Sequence, residues 1–137
     1  MKVLKKNKKA LYDYEAQKRI EAGIVLHGWE AKSLKNGAGH FEGSYIVVHG
    51  EEAFLKNFSI KPWRYSPDVA EQIQKRDKKL LLHKAQIKSL EASRKADRYT
   101  LIPLDVYEND KGVIKVSIAL AKSKRKFDKR NKLKQKD

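Results

Sequence analysis

Four histidines and a scatter of carboxylates are the residues of this chain with the means to do chemistry. His27, His40, His49 and His83 show no HxH, HxxxH or HExxH spacing, so no zinc-ligand pattern is present. The acids form no cluster of the kind that two-metal nuclease chemistry requires. Glycines fall into neither GxGxxG nor GxxxxGK, "NGAGHFEG" reads as a loop, and there is no GxSxG elbow. One pairing stands out: in "GIVLHGWEAKSLKNG", His27 and Glu30 are three apart where an apolar run turns helical. They could form an acid–base pair or half a metal site. The favoured reading is architectural, with His27 ending a strand and Glu30 in a first helical turn. There the positive end of the helix dipole stabilises a carboxylate by about 0.3–1 kcal/mol. No catalytic site, metal or cofactor is predicted.

The elements that position these residues can be read from periodicity. Residues 11–29 predict a strand, with Gly23 marking a bulge or bend, and "WEAKSLK" a short helix closed by Asn36-Gly37. Residues 44–49 and 53–58 predict a hairpin through Gly50-Glu51-Glu52. Pro62 and Pro67 interrupt pairing, so 61–79 predicts a polar loop. Residues 79–96 predict the longest helix, with Leu80, His83, Ile87, Leu90 and Arg94 on one face. Residues 99–107 and 113–121 predict two strands joined at "ENDKG". In the second, Ile114, Val116, Ile118 and Leu120 alternate with Val113, Lys115, Ser117, Ala119 and Ala121. The fold class predicted is mainly β: an antiparallel barrel of the oligonucleotide-binding type, with a basic, disordered C-terminal tail.

Charge points to the partner. The 137 residues carry a formal +15, concentrated at the ends. Residues 1–9 hold five lysines and no acid, and residues 122–137 hold nine Lys or Arg against Asp128 and Asp137. Like-charge runs repel themselves and serve as interaction tails for polyanions, so nucleic acid is the expected partner. The chain is expected to form one barrel domain over 1–121 with a tail over 122–137. No membrane span, secretory signal or interfacial helix is read from it, and the absence of cysteine fits a reducing cytosol. Trp29 and Trp63 read as core or rim residues. Tyr12 and Tyr14, beside Lys8-Lys9, suit base stacking next to phosphate neutralisation, and equally a half-buried strand. Three consecutive leucines, 80–82, cannot all point inward, so at least one is expected at a binding surface.

Several segments, in order, resemble the tmRNA-binding SmpB family: "NKKALYDY" (7–14), "EAGIVLHGWEAKSL" (21–34), "GSY" (43–45) and "N..I.P" (57–62), then "KLLLHK..I..L" (79–90), "LIPL..Y" (101–107), "VIKVSIALAKSKRK" (113–126) and "DKR" (128–130). The resemblance implies an oligonucleotide-binding-like barrel with about three helices. It also implies a cytoplasmic, non-enzymatic protein, a monomer within a ribonucleoprotein, that binds the tRNA-like domain of tmRNA and delivers it to stalled ribosomes. The family's RNA-contact positions fall on Asn7, Lys8, Lys9, Glu21, Leu81, His83 and Lys115, with Tyr12 added from the stacking argument. Its tail positions, for the small-subunit decoding centre and mRNA channel, fall on Phe127, Asp128, Lys129 and Arg130. Three departures from the family pattern are Leu11-Tyr12 for a common basic-plus-His pair, Phe127 for a His or Tyr, and a short segment of seven residues after Arg130. Two other functions compete: a ribosomal-protein-like component bound constitutively to ribosomal RNA, and, ranked last, a barrel-fold nuclease. Cutting the chain after Ala121 is expected to spare RNA binding and abolish rescue.

Overall fold

The computed structural model describes residues 1–63 and 69–124. Chain order is β1 (Lys2–Lys6), α1 (Lys8–Asp13), β2 (Tyr14–Ile24), α2 (Gly28–Lys35), β3 (Tyr45–His49), β4 (Glu52–Lys56), α3 (Glu71–Gln74), β5 (Lys78–Leu81), α4 (Lys84–Asp97), β6 (Thr100–Glu108) and β7 (Ile114–Ser123). All seven strands form one antiparallel sheet in the order β1-β6-β7-β2-β5-β4-β3, and β3 packs back toward β6 to curl it into a barrel. Of the four helices among the described residues, α3 is a single turn.

Strand alternation builds the interior. Ile114, Val116, Ile118 and Leu120 of β7 face Ala22, Leu55, Ile60 and Leu80 in the main core, with Ile20 and Ile24 of β2 packed against it. Phe41 and Phe58 fill one end as a tilted pair with centroids 4.5 Å apart. The β2–β7 register shifts between Ala16 and Lys18. This bulge reverses which side chains of β2 face inward, so Tyr14 and Ala16 lie on the outside, against α1. There Ala10 of α1 closes a second small cluster with Ile102, Leu104, Ala119 and Ala121.

Four expectations change. The N-terminal lysine run is a strand within the sheet, not a free tail: Lys2 lies opposite Glu108 and Lys6 opposite Asp105, and Leu4 packs on the core. Ladder pairing with β6 and the burial of Leu4 hold the run in the sheet. Residues 11–13 end a helix, because Asn7 caps α1 through Oδ1, which accepts from the Ala10 N–H at 3.2 Å. The segment around 61–79 is not all loop, since it contains α3 and the start of β5. Finally, Lys78–Leu81 is a strand of alternating burial, and the helix begins only at Lys84. β7 continues to Ser123, and beyond it the Lys124 N–H donates to the Asp13 carbonyl at 2.9 Å.

Candidate nucleic-acid interface

The sheet register assembles a site from residues far apart in sequence. Lys115 of β7 lies opposite Gly23 of β2, and Gly23 in turn opposite Leu81 of β5. Two residue pairs along, on the same face, Ser117 lies opposite Glu21. Neighbouring residues of β2 and β7 point into the core, so these side chains stand on the outer surface of the barrel. Glu21, Gly23, Leu81, Leu82, His83, Gln86 and Lys115 line a shallow depression of about 370 Å³ there.

Gly23 makes the depression possible. A Cβ at this position would lie 3.0 Å from Leu81 Cβ and 3.3 Å from its Cδ1, so Leu81 rests directly on bare backbone. Leu81 is nevertheless 53% exposed, an apolar platform beside the ammonium of Lys115 and the carboxylate of Glu21. His83 reaches the same place as N-cap of α4: its N–H donates to Gln86 Oε1 at 3.0 Å and its side chain is exposed. Glu21 is held from a fourth strand, where the hydroxyl of Tyr107, opposite Lys115 on β6, donates to Glu21 Oε2. The arrangement offers an acceptor, a cation, an apolar surface and an imidazole to one ligand, a combination suited to a splayed base with its phosphate.

Four of the residues expected from sequence, Glu21, Leu81, His83 and Lys115, thus come together. Asn7, Lys8 and Lys9 do not join them. They line a separate groove of about 630 Å³ with Lys5, Lys6, His40 and Tyr45, and the two hollows share no lining residue. The side chain of Asn7 works for the fold: Oδ1 caps α1 and Nδ2 donates to the Pro103 carbonyl at 2.9 Å. Tyr12 is half-buried on α1 and lines neither hollow. Phe127, Asp128, Lys129 and Arg130 lie outside the described residues.

The structure also accounts for His27 and Glu30. His27 is the N-cap of α2, and its N–H donates to Glu30 Oε1 at 2.7 Å. Glu30 is fully buried and ion-paired with the guanidinium of Arg76, which also donates to the Val25 carbonyl at 3.2 Å. Lys78 beside them is buried too, its ammonium donating to the carbonyls of Phe58 at 2.6 Å and Arg76 at 3.0 Å. This cluster locks the start of α2 to the segment before β5. Arg76 and Lys78 escaped the sequence reading because buried cations look like loop polarity. Tyr107 escaped for a different reason: it sits within the motif "LIPL..Y", but only the strand register brings it to Glu21.

The family model described as SmpB protein matches residues 4–137. An SsrA-binding protein of Coprothermobacter proteolyticus is 42% identical over 137 residues, covering all of this chain and 91% of the relative. One of Pelobacter propionicus is 41% identical, covering 99% and 88%. The chain belongs to the SmpB family. A solved chain described as "tmRNA-SmpB: a journey to the center of the bacterial ribosome" superposes with a TM-score of 0.72 at 36% identity, covering 94% of this chain and 93% of that one. The barrel expected from sequence is therefore the fold of SmpB. Among the described residues, no helix is long and apolar enough to cross a membrane.

Proposed function

We propose that this chain binds the tRNA-like domain of tmRNA and carries it to stalled bacterial ribosomes, acting as the RNA-binding subunit of ribosome rescue in the cytoplasm, without catalysis of its own. The observation that carries the site assignment is the convergence of Glu21, Leu81, His83 and Lys115 on Gly23 across three adjacent strands and a helix N-terminus. Leu81 supplies a face for an unstacked base, Lys115 a phosphate partner, and Glu21 an acceptor for amino or 2′-hydroxyl donors. Lys8 and Lys9, placed by the Asn7 cap, add phosphate attraction at the second groove. The basic segment after β7, residues 125–137, acts as the ribosome-directed tail, with Phe127, Asp128, Lys129 and Arg130 at the decoding centre.

The mechanism needs no bond to be made or broken. A net charge of +15 draws the RNA in, and the outer face of the barrel fixes its orientation. The basic tail is then left for a second RNA surface. Copurification tests the proposal. The tagged full chain should carry stoichiometric tmRNA, and its ribosome association should depend on that RNA. Recovery on ribosomal subunits alone, with no small structured RNA, would instead mark a constitutive ribosomal component.

A further inference from the structure

The proposed RNA face contains a residue that touches no expected ligand and yet fixes one that does. Tyr107 is only 5% exposed, while the carboxylate it reaches, Glu21, stands on the exposed outer surface. Its hydroxyl donates to Glu21 Oε2 across an 86-residue separation in sequence. Glu21 has no salt bridge to a lysine or arginine among the described residues, so this hydrogen bond is the contact that anchors its side chain. An exposed glutamate without such an anchor samples several rotamers and loses that freedom on binding.

Building on the function proposed above, we infer that Tyr107 is a positioning residue for RNA recognition: its phenol holds Glu21 with one oxygen engaged and the other presented to donors on the RNA. The direction of the contact is fixed by the surroundings of the phenol. Burial raises the Tyr107 pKa far above the ordinary tyrosine range, and the carboxylates of Glu21 and Asp105 push it the same way. The hydroxyl therefore keeps its proton throughout the physiological range, with the phenol as donor and the carboxylate as acceptor. The strand register supports the geometry independently. Tyr107 faces Lys115, and Lys115 faces Gly23, so the ring sits at the end of the row that ends on the Leu81 platform. Orientation by a neighbour that never meets the ligand is how buried hydrogen-bond partners sharpen recognition elsewhere.

The test is a double-mutant cycle on the full chain, with a transcribed tRNA-like domain of tmRNA as probe. Tyr107→Phe removes only the hydroxyl, so the thermal midpoint should stay close to wild type while affinity falls by about five- to tenfold. The dependence of affinity on salt should be unchanged, because no phosphate contact is lost. Glu21→Gln should lower affinity at least as much, and the double variant Tyr107→Phe/Glu21→Gln should bind like Glu21→Gln alone. Additive losses, or full affinity in Tyr107→Phe while Glu21→Gln is impaired, would overturn the inference. Leu81→Ala separates this from the underlying reading. Loss of affinity in Leu81→Ala keeps the face as the RNA site whatever Tyr107 does, whereas unchanged binding in all four variants would remove the face itself.

Discussion

At the scale of single residues, two side chains show how ordinary packing rules produce the site and its frame. Gly23 is a glycine because Leu81 occupies the space a side chain would need. Gly23→Ala is therefore expected to push Leu81 off its seat and weaken tRNA-like RNA binding by several-fold. Adding Leu81→Ala to it should cost less affinity than Leu81→Ala costs alone, which filter binding of the four proteins would check. Lys78 makes a different point. Burial pushes its pKa down to about 8, with Glu30 pulling upward, Arg76 pushing further down and Asp77 pulling upward. The folded chain releases this proton near pH 8 and the unfolded chain holds it until about 10.5, so the unfolded state binds more protons in between. Stability carried by Lys78 thus rises with pH across that window, by about 3 kcal/mol in full, and is flat below it. Urea midpoints of wild type relative to Lys78→Met, taken at pH 7.5 and 9.5, should diverge in favour of wild type, and a constant difference would refute the linkage.

At the scale of elements, legibility followed burial pattern. β7 was readable because its two faces differ so plainly: Ile114, Val116, Ile118 and Leu120 inside, Lys115 and Ser117 outside. β5 was not, because its inward positions are Lys78 and Leu80, and a buried lysine breaks the apolar signal that marks a strand. Three leucines followed by His83 then looked like the first turn of a helix that begins only at Lys84. An exposed leucine follows from the impossibility of burying all three, although the alternation that exposes Leu81 is that of a strand. α1 was hidden by its length, since six residues stabilised by one asparagine cap carry little periodicity. The end of β7 bears on any truncation. Lys122 and Ser123 pair with Glu15 and Tyr14, and the Lys124 ammonium donates to the Leu11 carbonyl at 3.1 Å. Removing residues 125–137 is expected to leave the melting midpoint and tRNA-like RNA binding near wild type and to abolish ribosome rescue in a reconstituted translation assay. Cutting after Ala121 removes those contacts as well and should lower the midpoint by a few degrees. Equal midpoints for the two truncations would show that the last strand residues do not hold α1 in place.

At the scale of the whole molecule, the division of labour rests on where charge sits. Lysines that looked like a free N-terminal tail stand in a strand opposite Glu108 and Asp105, and Lys5, Lys6, Lys8 and Lys9 share one groove, while Lys115 stands on the outer face as the cation proposed to meet RNA. The candidate site was legible as a set of residue types and positions through family resemblance, while its unity was not: β2, β5 and β7 meet only through the register of the sheet. This outer face, around Gly23, is proposed as the place where the tRNA-like RNA binds. Titration of the transcribed tRNA-like domain with wild type and with Leu81→Ala/Lys115→Ala, over a range of salt, tests it most directly. The double variant should melt like wild type, bind at least tenfold more weakly, and show a salt slope shallower by about one. Wild-type affinity and an unchanged slope in a folded double variant would contradict it.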